Sequence, residues 1–200
     1  MRKIFLQALL VLSLLPATAL AQEAKPTWQS NFSATQLIGS GQLRWFGLHV
    51  YQAKLWAETA NFAPQGKFAL ELTYERSISK KRFVSVSLDE MRRLLGSSLP
   101  ADQLPRWEAL MQSAFIDVKE GDQLIGVHLP GLGVRFYSRD KMLAEIRDPA
   151  FAQAFFAIWF DPRSKDAKLR QQLTGAMSGA ASAASSAASS AVTSTAKPAP

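Results

Sequence analysis

DPAFAQAFFAIWFDP, residues 148–162, is the stretch around which the remaining sequence has to be arranged. Asp148 offers a side-chain oxygen to the first free backbone N–H groups of a helix, and Pro149 suits the first helical position, where its missing N–H would have no partner anyway. Asp161 and Pro162 stop the helix, because the residue before a proline is pushed out of the α region. Between these ends lie Phe151, Phe155, Phe156, Ile158, Trp159 and Phe160, alanines fill the gaps, and Gln153 is the single polar side chain. A helix apolar on every side is buried in protein or in lipid, and about three turns fall well short of the ~20 residues a membrane span needs. The segment is therefore a core helix laid across a sheet, each large side chain contributing roughly 1.5–3 kcal/mol when fully buried.

Toward the C-terminus, Ser164 to Leu173 reads as a short basic helix with Leu169 and Leu173 inward. Beyond Thr174 the composition changes: seventeen of the last 25 residues are alanine or serine, and Val192 is the one large apolar side chain after Met177. Nothing there can anchor a core, so residues 175–200 are expected to form a disordered tail.

Toward the N-terminus the helix is preceded by strands. Met142 to Ile146, Val134 to Tyr137 and Gln123 to Leu129 are short β-rich runs, separated by a loop and by the turn residues Pro130-Gly131-Leu132-Gly133, with Gly121-Asp122 turning into the first of them. Two helices are expected before these strands. One begins at the capping-box spelling Ser87-Leu88-Asp89-Glu90 and runs to Gly96, and the other runs from Pro100 or Pro105 to Ala114 with Leu104, Trp107, Leu110 and Met111 on one face. Lys67 to Glu75 alternates, placing Phe68, Leu70, Leu72 and Tyr74 on a core face and Lys67, Glu71, Thr73 and Glu75 on a wet one. Gln42 to Trp56 reads as one long strand apolar on both faces, entered through a tight hairpin at Gly39-Ser40-Gly41 from a strand at Thr35 to Ile38. Strands, two helices, strands and helices again make an α+β fold, a large and mostly antiparallel sheet with helices gathered on one face.

Residues 1–21 have the three-part layout of a secretory leader: Arg2 and Lys3, an apolar run from Ile4 to Leu15, and Ala19-Leu20-Ala21 as a small-residue cleavage site. The mature chain is then exported, and its formal charge falls from +7 to about +5. Its dispersed basic residues do not suggest nucleic-acid binding, and a single domain over residues 22–174 suits its length. With no cysteine, the chain has no disulfide, thiolate metal site or cysteine nucleophile.

Chemistry-bearing motifs are sparse. His49 and His128 lie in strands with no metal-ligand spacing, no serine sits in a G-x-S-x-G elbow, and Gly39-x-Gly41 and Gly131-x-Gly133 lack the rest of a nucleotide loop. Neither a metal nor a cofactor is expected. Asp117, Glu120 and Asp122 read as solvated loop carboxylates, and Arg76, Lys80, Lys81 and Arg82 as a basic loop with the option of an anion or headgroup contact. Arg44, placed mid-strand with apolar neighbours on its face, needs a partner there, either an internal carboxylate or an anionic ligand.

The segments GSGQLRWFGLHVYQAKLW (39–56), FALELTYERSI (68–78), SLDEM (87–91), GDQLIGVHLPGLGVRFY (121–137) and EIRDPAFAQAFFAIWFDPRSKDAKLRQQL (145–173), in that order, resemble the chalcone isomerase-like family in its exported bacterial branch. The resemblance implies an open-faced sandwich whose relatives bind hydrophobic small molecules in a cleft beside the sheet, flavonoid precursors in the plant enzymes and fatty acids in the fatty-acid-binding members. It also implies an isomerase site of one arginine with threonine, tyrosine and asparagine groups. The strand threonine falls at Phe46, the tyrosine and asparagine near Lys80 and Ser87 and the later threonine near Lys141, and the arginine has no secure counterpart. Without them the stabilisation of developing charge is missing, so the resemblance points to a non-catalytic periplasmic protein holding a small hydrophobic or carboxylate-bearing ligand such as a fatty acid. Arg44 would face the carboxylate, with Tyr51 or Tyr74 as hydrogen-bonding neighbour. The alternatives are an isomerase or lyase using an altered residue set, and a cell-envelope interaction module tethered by the tail.

Overall fold

A computed structural model of the chain describes residues 27–96, 99–139 and 141–175. The expected leader and all but the first residue of the expected tail lie outside them. After a 3-10 helix at Thr27–Asn31 come six strands and four helices: β1 (Gln36–Trp45), β2 (Leu48–Ala57), β3 (Phe68–Tyr74), α1 (Lys80–Leu95), α2 (Gln103–Ala114), β4 (Gln123–Leu129), β5 (Gly133–Ser138), β6 (Lys141–Ile146), α3 (Pro149–Phe160) and α4 (Ala167–Leu173). The strands form one antiparallel sheet in chain order, with α1 and α2 inserted between β3 and β4. The result is the α+β open sandwich that the order of apolar segments implies.

The core helix is α3. Asp148 accepts a hydrogen bond from the Phe151 N–H at 3.0 Å, and a second oxygen accepts from Trp107 Nε1 at 3.1 Å, which ties the start of α3 to α2. Phe151, Phe155, Phe156, Trp159 and Phe160 are buried against the alternating inward residues of the strands, including Leu55, Phe68, Leu70, Leu72, Val134 and Phe136. The backbone of Gly126 on β4 lets Phe156 in, since a Cβ there would lie 3.2 Å from its ring.

The first hairpin differs from the sequence reading. The turn is at Phe46-Gly47, and it splits the expected Gln42–Trp56 strand into the ends of β1 and β2. Both turn residues have positive φ, 48° and 77°, the conformation of the two-residue hairpin turns that match strand twist. Gly39 and Gly41, expected to turn the chain, lie within β1 because α4 presses on that strand. A Cβ on Gly39 would overlap the carbonyl oxygens of Gln172 and Leu173, and one on Gly41 would meet the side chains of Leu169 and Gln172. These glycines permit a close approach between elements.

Helix α1 also starts earlier than expected. Ser79 is its cap, accepting from Arg82 N at 3.2 Å, and nothing in Lys80–Leu95 interrupts the helix. Ser87 is buried mid-helix, so the Ser-Leu-Asp-Glu spelling marks no boundary, and Lys80, Lys81 and Arg82 form the first helical turn instead of a loop.

The outer face of β3 is covered too. Trp28 packs over Ala69, Ile125, Val127 and Tyr137 with Phe32 and Trp56 at the margin. Glu71, expected to be wet, is 7% exposed and accepts from Trp56 Nε1 at 3.0 Å and Gln123 Nε2 at 3.2 Å. Burial is tolerated because the carboxylate is hydrogen-bonded, with Lys54 3.6 Å away.

Candidate functional site

The layer between the sheet and the helices is the enclosed apolar space of this architecture. Alternation along β3 sends Leu70, Leu72 and Tyr74 into it, α1 contributes Phe83, and α3 contributes Phe155 and Trp159. These side chains fill the layer. The void left among Leu70, Leu72, Phe83, Phe136, Phe155 and Trp159 is about 10 Å³ and apolar, at the lower limit for a single water. Phe83 is the least buried of these lining side chains from the helices, and its ring packs at a tilt on Phe115 at 4.6 Å between centroids.

Two tyrosines supply the polar end of this layer. Tyr51 on β2 and Tyr74 on β3 are directly opposite each other, and their rings meet edge to face at 5.9 Å. Trp159 Nε1 donates to the Tyr51 hydroxyl at 2.9 Å. The Tyr74 side chain, 2% exposed, has a hydroxyl with no hydrogen-bond partner among the described residues. Its ring meets Phe83 at 6.5 Å, beside the void. Burial raises both hydroxyls well above the ordinary tyrosine range, and the bond from Trp159 offsets this only in part at Tyr51. Both are neutral donors and acceptors at any physiological pH. Among the described residues the other unpartnered buried side-chain atom is Nε of Arg170 on α4, one turn beyond Asp166, whose charge acts on the Tyr51 hydroxyl.

Of the three residues singled out from sequence, Tyr51 and Tyr74 come together and Arg44 does not join them. The turn at Phe46-Gly47 places Arg44 at the exposed end of β1, and it makes no ion pair among the described residues, so its guanidinium carries no burial cost to be met. Strand alternation placed Tyr74 inward. What sequence could not supply is that its hydroxyl lacks a partner, since that depends on every element packed around it.

The remaining candidates have structural partners. His49 pairs with Glu75 at 3.0 Å, and His128 Nδ1 lies 2.6 Å from the Gly66 carbonyl oxygen with its ring stacked on Phe68. Asp117 accepts from Lys80 N at 2.7 Å and Asp122 from Lys119 N at 2.8 Å. Among the described residues no group of three or more metal-ligating side chains converges, and no helix is long and apolar enough to cross a membrane. A larger concavity, about 430 Å³, is a solvent-open groove between α1 and α2 bordered by Lys81, Asp89, Arg92 and Glu108. Its charges are of both signs, and Arg92 is already engaged with Asp89 at 3.0 Å.

The positions matching the isomerase groups are dispersed over the fold. Phe46 is on the exposed turn, Lys80 opens α1, Ser87 is buried within α1, and Lys141 opens β6. Residues 22–175 match the family model described as chalcone isomerase-like. Among solved structures, an Arabidopsis thaliana fatty-acid binding protein superposes with a TM-score of 0.54 at 12% identity, covering 71% of this chain and 87% of that one. At that identity the likeness is one of fold. No curated protein matches the sequence.

Proposed function

The chain belongs to the chalcone isomerase-like family, and from that premise we propose that it is an exported, non-catalytic binding protein for a small apolar or amphipathic molecule such as a fatty acid, acting in the periplasm. The observation that carries this reading is the Tyr74 hydroxyl. A buried donor left unpaired costs about 1–3 kcal/mol, and a ligand whose carboxyl or hydroxyl end reached Tyr74 would recover it. The Arabidopsis protein of the same fold is a fatty-acid binding protein, which supports an acyl chain as the apolar part. Phe46, Lys80, Ser87 and Lys141, standing where the isomerase would carry its polar groups, favour binding over turnover.

Admission of an acyl chain requires side chains to move, because the void is filled. Phe83 is placed to do this: it covers the layer from α1 and is itself only partly buried. The ligand would enter under α1, its chain displacing Phe83 and its polar end meeting Tyr74.

Tyr74→Phe tests the reading in both directions. The substitution deletes an unpaired buried polar atom, so the empty protein should gain about 1 kcal/mol in urea unfolding, while affinity for a titrated fatty acid should fall roughly tenfold. Unchanged affinity would remove Tyr74 from the site. Organic extraction of the gently purified protein, followed by mass spectrometry, should release a near-stoichiometric lipid or aromatic acid. An empty protein that also ignores added fatty acid would sink the carrier reading.

That result would leave the second reading, a cell-envelope interaction module, which the filled layer favours. A core already packed by Phe83, Phe155 and Trp159 needs no ligand for its stability.

A further inference from the structure

The turn between β1 and β2 carries three large apolar side chains into solvent: Trp45 is 58% exposed, Phe46 87% and Leu48 51%. The Trp45 and Phe46 rings pack on each other at 5.0 Å and form one continuous cap on the hairpin. Of the other exposed large apolar residues among those described, Leu37 lies at the far end of β1, and Val86, Ile116 and Met142 lie on α1, in the loop after α2 and on β6. Phe46 also holds a φ of 48°, a left-handed conformation that Asn or Gly adopts with far less strain. A strained phenylalanine almost wholly in water gains nothing for the folded monomer, and backbone strain of this kind clusters at functional positions.

We propose that this hairpin tip is a membrane-contact wedge, inserting Trp45, Phe46 and Leu48 into the interface of an anionic lipid bilayer. Shape argues for lipid over a folded partner. The three side chains of a convex turn offer roughly 400 Å² at most, whereas a stable protein interface takes ~800 Å² from each side. Insertion into the headgroup and acyl boundary needs only a narrow apolar projection, and tryptophan favours that depth. Charge specifies the lipid. Arg44 adjoins Trp45 and is exposed, with no ion pair among the described residues. The nearby carboxylate, Glu75, is engaged by His49 at 3.0 Å and by Gln42 at 3.1 Å. The formal charge of about +5 expected once the leader is removed likewise favours anionic headgroups. The inference does not depend on what, if anything, binds beside Tyr74.

The full chain has no cysteine, so Leu48→Cys provides a single site for an environment-sensitive fluorophore while leaving Trp45 and Phe46 in place. Asn61→Cys, exposed between β2 and β3 at the other end of the sheet, is the control. With vesicles of phosphatidylcholine mixed with phosphatidylglycerol, the label at position 48 should shift to the blue and be quenched by brominated acyl chains, and the label at 61 should do neither. Trp45→Ser with Phe46→Gly should abolish the quenching at 48 without lowering the thermal unfolding midpoint, because glycine relieves the strained φ. Arg44→Glu should weaken binding to the anionic vesicles about tenfold and leave binding to pure phosphatidylcholine unchanged. The proposal is overturned by an unquenched label at 48, by equal responses at 48 and 61, or by quenching that survives the double substitution. A blue shift at 48 that grows with protein concentration in the absence of vesicles would likewise overturn it, in favour of a second copy of the chain.

Discussion

Asp148 shows how much a single side chain can carry in this fold. One oxygen caps α3 through Phe151 N, the other takes the indole N–H of Trp107, and Arg106 approaches the latter at 3.5 Å. Asp148→Ala removes the cap, worth about 0.5–2 kcal/mol, and leaves the buried indole donor unpaired, worth about 1–3 more. Urea unfolding should therefore show a loss of roughly 2–4 kcal/mol, with Asp148→Asn falling between, since its single oxygen can serve only one of the two donors. Phe46→Gly should act in the opposite direction. It deletes an exposed side chain from a left-handed position and should stabilise the protein by about 1 kcal/mol, readable in the same titration. The two cases differ in how visible they were beforehand. The Asp-Pro pair announces a helix start in any context, and the period of two along β3 places Tyr74 inward. Nothing in Arg44-Trp45-Phe46-Gly47 announces that a phenylalanine will adopt a positive φ, so Arg44 was expected mid-strand when it lies at an exposed strand end.

Among the elements, those legible from sequence have local causes. β3, β4, β5, β6 and α3 are bounded by turn residues or caps that act within a few positions of themselves. β1 is different, because Gly39-Ser40-Gly41 resembles a turn until α4 is placed against it. The glycines are there for a neighbour about 130 residues away along the chain, and no local pattern can report that. Gly39→Ala tests this explanation. A methyl group there meets the backbone carbonyls of Gln172 and Leu173, which cannot rotate aside, so α4 must shift outward at a cost of about 1–3 kcal/mol. Hydrogen exchange should show faster opening in Ala167–Leu173 and unchanged protection in β4 and β5. Ser40→Ala, one residue on and exposed, should change stability by less than about 0.5 kcal/mol. If both variants behave alike, the glycines are not there to admit α4. The start of α1 follows the same logic in reverse: Ser87 satisfied the capping-box spelling, but the uninterrupted helical run back to Ser79 buries it in the helix body.

For the whole molecule, the ionisable groups set a stability dome with two unequal sides. On the acid side, burial lowers His128, against an opposing bond from the Gly66 carbonyl, so the fold favours the neutral ring. Glu58, Glu145 and Asp161 are lowered chiefly by hydrogen bonds, from Ser33 N, Arg135 and Arg163 respectively. Burial at Glu90 acts upward, but bonds from Lys165 and Arg93 outweigh it and lower this carboxyl as well. Each of these groups binds protons more readily unfolded than folded, so each contribution is present above its unfolded value and is lost as pH falls toward its folded one. The signs agree, and nothing among them compensates. Stability should start to fall below the ordinary histidine value of 6.5 and fall further through the carboxylate range. On the alkaline side Tyr51 and Tyr74 have raised hydroxyls, whose contribution is complete below the unfolded value of 10.0 and disappears as pH rises past it. Urea midpoints measured across the pH range should thus give a plateau bounded near these two values. Replacing His128 with phenylalanine should remove the upper part of the acid limb and leave the carboxylate part, and Tyr74→Phe should make the alkaline limb shallower. An acid limb unaffected at His128 would mean that its ring is hydrated in the folded protein, which would contradict its stacking between Phe68 and the edge of Phe156. A ligand anchored at Tyr74 would add its own mark: bound, it should raise the plateau by mass action, and its contribution should decline with ionisation of its carboxyl group only where the neutral form is the one that binds.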